Sequence, residues 1–338
     1  LEVEGPDGRE ELTARHVILA TGSRPFVPPE FGYDGSVVIT TDEAVTLPAP
    51  PERVAIIGGG PSGCEFASLF AALGSAVVLI EAQPQLLPAA EPDVARQLQS
   101  LFKRRGIGVH VAAGVRRIER GRDCAAVELA TGERIEADRV LVTVGRRPRT
   151  EELGLSEVGI ALNARGEVEV DARSRTAVEG IYAVGDMTDV PWKLAHVAAH
   201  QGVVAAENAA GRPVAADWSA VPMVVFSTPE VAWVGMTTPQ AEAAGLSVVS
   251  GRVAFGAVGR AVIAGETEGF IKILSDSSRT RIVGLHLIGP EATSLIGEAT
   301  LAVRCRLSPE QLAATLHAHP TLSEGLGDAA AALLPAGA

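Results

Sequence analysis

The stretch ERVAIIGGGPSGCEFASLFAALGSAVVLIEAQ, residues 52–83, decides the fold class of this chain. The apolar run 54–57 predicts a short buried strand, and a glycine-rich turn follows it directly. Residues 65–73 then predict a helix that a glycine ends, and residues 77–80 predict a second buried strand. This order of elements predicts an α/β fold with an open sheet.

The turn has the pattern Gly58-x-Gly60-x-x-Gly63. Gly58 allows the tight turn, Gly60 lets the backbone approach a pyrophosphate, and Gly63 lets the helix and strand pack closely. The N-terminus of the following helix presents N–H groups to the phosphates. Glu81, eighteen residues after Gly63, would accept hydrogen bonds from a ribose diol and repel a 2′-phosphate. We therefore expect a dinucleotide site that takes NAD rather than NADP.

The chain contains three scattered cysteines, Cys64, Cys124 and Cys305. Their spacing fits neither a metal cluster nor a disulfide framework, so no metal site is expected and a reducing cytoplasm is indicated. Cys64 follows the last glycine at a helix N-terminus, where a thiolate could be stabilised. A role as a small packing residue is the favoured alternative.

A chain of 338 residues is too long for one ordinary core, and two or three domains are expected. Its net charge of −12 argues against nucleic acid and an anionic membrane surface as partners. No apolar run has the length of a membrane span. The chain opens at Leu1, within residues that predict a β-hairpin turning at Gly5, Pro6, Asp7 and Gly8, and a further segment is expected upstream.

Two more segments predict buried strands that end in small residues: HVILATGSRP at 16–25 and GIYAVGDMTD at 180–189. Residues 192–211 predict a helix. Asp186, at the carboxyl end of its strand, could bond a polyol hydroxyl. Taken together with the glycine turn, these strand ends indicate two nucleotide sites in one chain.

Near the C-terminus, TLHAHPTLSEGLGDAAAALL spans residues 315–334. Taken alone it favours a turn into a C-terminal helix, in which Glu324 is a first-turn acid that the helix dipole stabilises. The presence of both His317 and His319 beside that acid leaves a catalytic role open.

The motifs ATGS, GGGPSGCE, VGRRP, GDMTD with KLAH, and HAHPTLSE occur in the order and spacing of the flavin-dependent pyridine nucleotide–disulfide oxidoreductases. The resemblance covers essentially the whole chain, and within that family it is closest to the dihydrolipoamide dehydrogenases. Two alternatives stay open. One is a glutathione- or mercuric-type reductase, although glutathione reductases share only the HPT core and mercuric reductases usually lack the histidine. The other is a non-catalytic NAD-binding dimerisation module.

The resemblance implies two Rossmann-like three-layer domains, for FAD and NAD, and an α+β dimerisation domain. Residues 1–47 and 148–215 would form a partial FAD-binding domain, 48–147 the NAD-binding domain, and 216–338 the dimerisation domain. In the family an N-terminal lobe carries another GxGxxG and a CxxxxC disulfide, and neither pattern occurs in this sequence. We therefore expect the FAD domain to be incomplete and the isolated chain to be inactive toward lipoamide.

The resemblance also implies the cofactor contacts. The NAD contacts would be Gly58, Gly59, Gly60, Pro61, Ser62, Gly63, Cys64, Glu65, Glu81, Val115 and Gly145. The FAD contacts would be Thr21, Gly22, Ser23, Asp186, Lys193, Leu194, Ala195 and His196. Lys193 departs from the family, in which an apolar residue such as Met is more usual at this place.

By the same resemblance, His319 would be the catalytic base and Glu324 its orienting partner, with His317 a lesser neighbour. Histidine suits proton transfer near neutral pH, and a carboxylate on its other ring nitrogen fixes the tautomer. Pro320 is expected to be cis and to set the turn that presents His319. The resemblance to the dihydrolipoamide dehydrogenases further implies an obligate homodimer that acts in the cytoplasm on the lipoyl domain of a 2-oxoacid dehydrogenase or glycine-cleavage complex.

Overall fold

The computed structural model describes residues 1–6 and 8–335. These residues form two compact units, unit 1 (residues 1–25 and 146–218) and unit 2 (residues 26–145 and 219–335). None of the helices within this part of the chain has both the length and the apolar character needed to cross a membrane.

Unit 1 is built from short paired strands and one long helix. A hairpin joins β1 (Glu2–Gly5) to β2 (Gly8–Glu11), as the sequence predicts, although Asp7 of its turn lies outside the described residues. The other elements are β3 (Val17–Leu19), β4 (Ser23–Pro25), β13 (Arg146–Pro148), β14 (Ile181–Ala183) and α4 (Ala195–Ala209). β3 runs parallel to β14, and β4 pairs antiparallel with β13.

One expectation about unit 1 is wrong. The sequence predicts a buried strand within residues 16–25, but β3 is only partly buried and Ile18 keeps 40% of its surface exposed. The reason is that, among the described strands, β3 pairs with β14 alone, whereas a parallel strand becomes buried when neighbours and helices cover it on all sides.

The first part of unit 2 contains a five-stranded parallel sheet in the order β5-β12-β6-β7-β8. Its strands are β5 (Val38–Ile39), β6 (Arg53–Ile57), β7 (Ala76–Ile80), β8 (Gly108–His110) and β12 (Arg139–Val142). A three-stranded antiparallel sheet consists of β9 (Val115–Arg120), β10 (Ala125–Leu129) and β11 (Arg134–Ala137). The helices are α1 (Thr41–Ala44), α2 (Pro61–Ala72) and α3 (Pro92–Arg104). The predicted strand–turn–helix–strand order is confirmed, and α2 begins four residues earlier than predicted.

The second part of unit 2 is a five-stranded antiparallel sheet in the order β15-β16-β19-β18-β17. Its strands are β15 (Met223–Val225), β16 (Glu230–Gly235), β17 (Val248–Ala254), β18 (Phe270–Asp276) and β19 (Ile282–Gly289). The helices are α5 (Thr238–Ala243), α6 (Gly259–Ala264), α7 (Ala292–Arg304), α8 (Pro309–Ala313) and α9 (Glu324–Ala331).

Helix α3 joins the two sheets of unit 2. Its apolar residues Leu98 and Phe102 belong to the same buried cluster as Trp233 and Phe270 of the antiparallel sheet. Since such burial stabilises by about 25 cal/mol per Å² of apolar surface, this shared core couples the two parts of the unit. Residues 26–47, which the sequence places in the FAD-binding domain, contribute β5 to the parallel sheet. The three-domain division made from the sequence stays a prediction.

Polar groups reinforce this junction at both ends of α3. The Lys272 ammonium on β18 donates to Glu91 and to Asp93, each at 2.7 Å, and Thr238 donates to Glu91. At the other end, Arg104 lies 2.8 Å from Glu268. The sequence spacing did not predict this cluster, because its members are separated by well over a hundred residues.

Candidate functional site

The glycine-rich turn after β6 is shaped by its own backbone. Gly58 has a φ of +112°, which favours glycine. A Cβ on Gly58 would lie 2.6 Å from the Thr143 carbonyl oxygen, and one on Gly63 would lie 1.8 Å from the Gly58 oxygen. A Cβ on Gly60 would meet no atom within 4 Å. A side chain would therefore clash with the backbone at Gly58 and Gly63, whereas Gly60 faces open space.

The open side of the turn coincides with the start of α2, whose N-cap is Gly60 and whose first residue is Pro61. The first intrahelical bond runs from the Cys64 N–H to the Gly60 oxygen, at 3.0 Å. The N–H groups of Ser62 and Gly63 lie ahead of that bond, where a helix presents donors to an anion. This geometry fits a pyrophosphate.

Glu81 follows β7 and is buried beside the turn. One carboxylate oxygen accepts from the Gly59 N–H and the other from the Gln83 N–H, each at 2.6 Å. Each oxygen has a second acceptor position, so ribose hydroxyls can add to these bonds. The acid thus fastens the glycine turn to the end of β7, which the sequence did not predict. Val115 begins β9, and Gly145 has a φ of +150°.

Cys64 and Glu65 occupy neighbouring positions on α2 with different surroundings. The Cys64 thiol is fully buried, donates to the Gly59 oxygen at 3.4 Å, and has a pKa that burial raises strongly. These features favour the packing role over a reactive thiolate. Burial also raises the pKa of Glu65, although its carboxylate accepts from the Phe226 N–H at 2.9 Å. Glu65 therefore connects α2 to the loop after β15.

In unit 1 the structure brings together the two predicted strand ends. The Ser23 hydroxyl donates to Asp186 at 2.6 Å, and the Arg146 guanidinium donates to Ser23 at 2.7 Å. The Thr21 hydroxyl donates to the Arg149 oxygen at 2.5 Å, and Gly22 has a φ of +70°. The sequence did not predict Arg146 as a member of this group, although VGRRP places it directly after a strand.

The unusual lysine of unit 1 has a structural partner. The Lys193 ammonium lies 2.9 Å from the buried carboxylate of Glu167 and also donates to the Thr188 oxygen. Burial raises the pKa of Glu167, but hydrogen bonds from Asn163 and Lys193 outweigh it and hold the pKa below its usual range. Beyond Lys193 come Leu194, which caps α4, and Ala195 and His196, which are exposed at its first turn.

The C-terminal turn holds the predicted histidine–carboxylate pair. Nδ1 of His319 lies 2.8 Å from Oε1 of Glu324, and Oε2 of Glu324 accepts from the Thr321 N–H at 2.9 Å. The bonds from Thr321 and then from His319 lower the pKa of Glu324. The His319 side chain is 78% exposed, and the His319–Pro320 bond is cis, as predicted. The ring can therefore exchange protons with an incoming molecule.

The second histidine of the turn faces inward. Nε2 of His317 lies 2.8 Å from Oε1 of Glu298 on α7, and the His317 side chain is only 9% exposed. Glu298 was not predicted from the sequence, since it precedes His317 by nineteen residues and lies on another helix. Within the described residues, no group of three or more His, Cys, Asp or Glu side chains is arranged to hold a metal ion.

Most of the chain matches known protein families. Residues 2–202 match the family described as pyridine nucleotide-disulphide oxidoreductase, and residues 221–330 match its dimerisation domain. The dihydrolipoyl dehydrogenase of Chlamydia muridarum is 44% identical over 315 residues, which cover 93% of this chain and 67% of that protein. The dihydrolipoyl dehydrogenase of Haloferax volcanii is 40% identical over 327 residues, covering 96% and 69% respectively.

Solved structures agree with these sequence matches. LpdA from Mycobacterium tuberculosis superimposes with a TM-score of 0.91 at 32% identity, covering 99% of this chain and 73% of that one. The HOCl-induced flavoprotein disulfide reductase RclA from Escherichia coli has a TM-score of 0.89 at 28% identity, covering 96% and 74%.

Proposed function

This chain belongs to the pyridine nucleotide-disulphide oxidoreductase family, and we propose that it is the larger part of a dihydrolipoamide dehydrogenase. The observation that carries the proposal is the exposed His319 ring, held on Glu324 at 2.8 Å. Relatives that are dihydrolipoyl dehydrogenases support it, with identities of 40% and more over most of the chain. The reaction is dihydrolipoamide + NAD⁺ → lipoamide + NADH + H⁺.

The proposed cofactors are NAD and FAD, and the residues present fit them. The open face at Gly60, the donors at the start of α2 and the buried Glu81 suit a pyrophosphate and a ribose. In unit 1 the Ser23 and Asp186 side chains offer a hydroxyl and a carboxylate to a polyol. We propose that the residues named above from the family resemblance make these contacts. When bound, FAD accepts the electrons and NAD⁺ accepts the hydride.

In this reaction, the role of this chain would be proton transfer. A carboxylate only accepts hydrogen bonds, so the contact with Glu324 puts the proton of neutral His319 on Nδ1 and leaves Nε2 to accept one. Nε2 would take the proton of a dihydrolipoyl thiol, and the resulting thiolate would attack a disulfide. Glu324, whose pKa is lowered, remains a carboxylate that stabilises the imidazolium.

The cysteines of this chain do not supply that disulfide. Cys64 is fully buried, and no two of Cys64, Cys124 and Cys305 have the CxxxxC spacing. We assign the disulfide to a cysteine pair outside these 338 residues, and we expect no NADH-dependent lipoamide reduction by the isolated chain. The complete enzyme would be a cytoplasmic homodimer that joins through residues 216–338 and serves the lipoyl domain of a 2-oxoacid dehydrogenase or glycine-cleavage complex.

The test is a substrate comparison with the complete flavoenzyme that contains this chain. We expect NAD⁺ reduction with dihydrolipoamide, and little or no NADPH oxidation with glutathione disulfide or Hg²⁺. Preference for either of those oxidants would contradict the proposal and favour another member of the family. A colourless protein that binds NAD without turnover would instead favour a non-catalytic module.

A further inference from the structure

The two histidines of the C-terminal turn have opposite surroundings although one residue separates them. The His317 side chain is 9% exposed and that of His319 is 78% exposed. Each ring meets one carboxylate at 2.8 Å, His317 through Nε2 and His319 through Nδ1. Since a carboxylate only accepts, the two rings, when neutral, carry their protons on different nitrogens.

His317 connects the turn to two helices. Its Nε2–H donates to Glu298 on α7. Its ring also lies against the backbone of α9 at Gly327, where a Cβ would come within 3.2 Å of Nδ1 and 3.3 Å of Cε1. The buried Gly327 thus leaves room for the ring, and the ring fills the space between the turn, α7 and α9.

One face of α9 contacts both histidine rings. Glu324, which holds His319, and Gly327, which backs His317, are three residues apart and therefore neighbours on one side of the helix. Within the turn, the Thr321 hydroxyl donates to the Ala318 oxygen at 2.6 Å, and the Thr321 N–H donates to Glu324. The turn is thus attached to α9 on both sides of the exposed histidine.

We propose that His317 is a positioning residue, which with Glu298 and Gly327 fixes the turn so that Nδ1 of His319 stays on Glu324 and Nε2 faces the substrate. The catalytic part of this statement rests on the function proposed above. The positioning part concerns only residues of this chain and can be measured without substrate.

The first experiment replaces His317 in the complete flavoenzyme. His317→Leu removes the bond to Glu298, whereas His317→Gln keeps an N–H donor of similar reach. A displacement of a catalytic group by about 1 Å can cost about a hundredfold in rate, so His317→Leu should lower kcat for dihydrolipoamide roughly tenfold to a hundredfold. KM should stay nearly constant, and His317→Gln should recover most of the lost kcat.

The second experiment reads the His319 tautomer directly. Imidazole ¹⁵N NMR of the histidine-labelled complete flavoenzyme, with His319 identified by its loss in His319→Gln, should show an Nδ1–H tautomer in the wild type. In His317→Leu that signal should shift toward the average of two tautomers, and in His317→Gln it should return. If His317→Leu fails to fold, Gly327→Ala displaces the ring by a few tenths of an ångström and should cause a smaller shift in the same direction.

Unchanged His319 signals in folded His317→Leu would overturn the positioning role, whether or not kcat falls. Wild-type enzyme that does not oxidise dihydrolipoamide would instead contradict the proposed function, and the NMR result would still decide the role of His317.

Discussion

Two carboxylate–base pairs of unit 2, Glu91–Lys272 and Glu324–His319, differ in how far they are exposed to solvent. Glu91 and Lys272 have side chains that are 2% and 10% exposed, whereas Glu324 and His319 are 27% and 78% exposed. Burial acts to raise the pKa of Glu91, but the hydrogen bonds from Lys272 and Thr238 outweigh burial and lower that pKa below its ordinary value. The pKa of Glu324 is lowered mainly by the Thr321 N–H and then by His319.

This difference in exposure distinguishes a pair that stabilises the fold from a pair that can exchange protons. Removing one partner of a buried ion pair strongly destabilises the fold, because the other charge stays buried in a low dielectric. An exposed pair contributes little to stability, and its groups can exchange protons with solvent and substrate. We therefore assign Lys272 and Glu91 to the junction between α3 and β18, and His319 and Glu324 to proton transfer.

The largest expected effect on stability comes from breaking the buried pair. Lys272→Met should lower the free energy of unfolding by about 3–5 kcal/mol at pH 7, since it leaves the Glu91 carboxylate buried without a cation. Urea denaturation measures this loss, and the double variant with Glu91→Gln should recover part of it.

Arg9→Ala, which breaks an exposed pair with Glu2, is the matched control and should cost less than about 1 kcal/mol. If Lys272→Met and Arg9→Ala lower the free energy of unfolding equally, the claim that the buried pair contributes more to stability than an exposed pair is wrong.

The same buried region should make stability depend on pH. His286 lies on β19 facing Glu91 and Lys272, and burial lowers its pKa to about 4 from an ordinary value of 6.5. Between these values the unfolded chain takes up a proton that the folded chain does not, so stability is full above pH 6.5 and falls as the pH is lowered toward 4. The shift corresponds to roughly 3 kcal/mol.

Urea titrations across this window, compared between the wild type and His286→Phe, measure the effect. Loss of the slope in the variant is the expected result. Glu91 and Asp93 also have lowered pKa values, but they change the stability only at more acidic pH. The stability that they contribute is lost only as the pH falls below the ordinary carboxyl range. An identical slope in the variant would exclude His286 as its origin.

The smallest expected effect on stability belongs to the exposed pair. Glu324→Gln should leave the free energy of unfolding nearly unchanged. Its turnover with dihydrolipoamide should nevertheless fall roughly tenfold to a hundredfold, because an amide cannot stabilise the imidazolium by charge. Glu310→Gln, which changes another acid in the first turn of a helix, α8, should alter neither quantity. A stability loss as large as that of Lys272→Met would show that the exposed pair is structural.

The sequence could predict those features whose residues are close along the chain. The glycine turn, the acid after β7 and the His319–Glu324 pair are local patterns with a fixed relation to a strand or helix. Glu298 and Lys272 reach their partners only through tertiary packing, so no spacing in the sequence indicated them. The burial of β3 was predicted wrongly because an apolar strand is covered only when neighbouring strands and helices are present.

The most direct test of His319 as the catalytic base measures the two half-reactions of the complete flavoenzyme separately by stopped flow. In His319→Gln, flavin reduction by dihydrolipoamide should slow by about 10²- to 10⁴-fold, because thiol deprotonation loses its base. Flavin reduction by NADH should stay within about twofold, since the glycine turn and Glu81 are untouched. An unchanged rate with dihydrolipoamide would contradict the assignment of His319 as the base and, with it, the proposed division between the buried and exposed pairs.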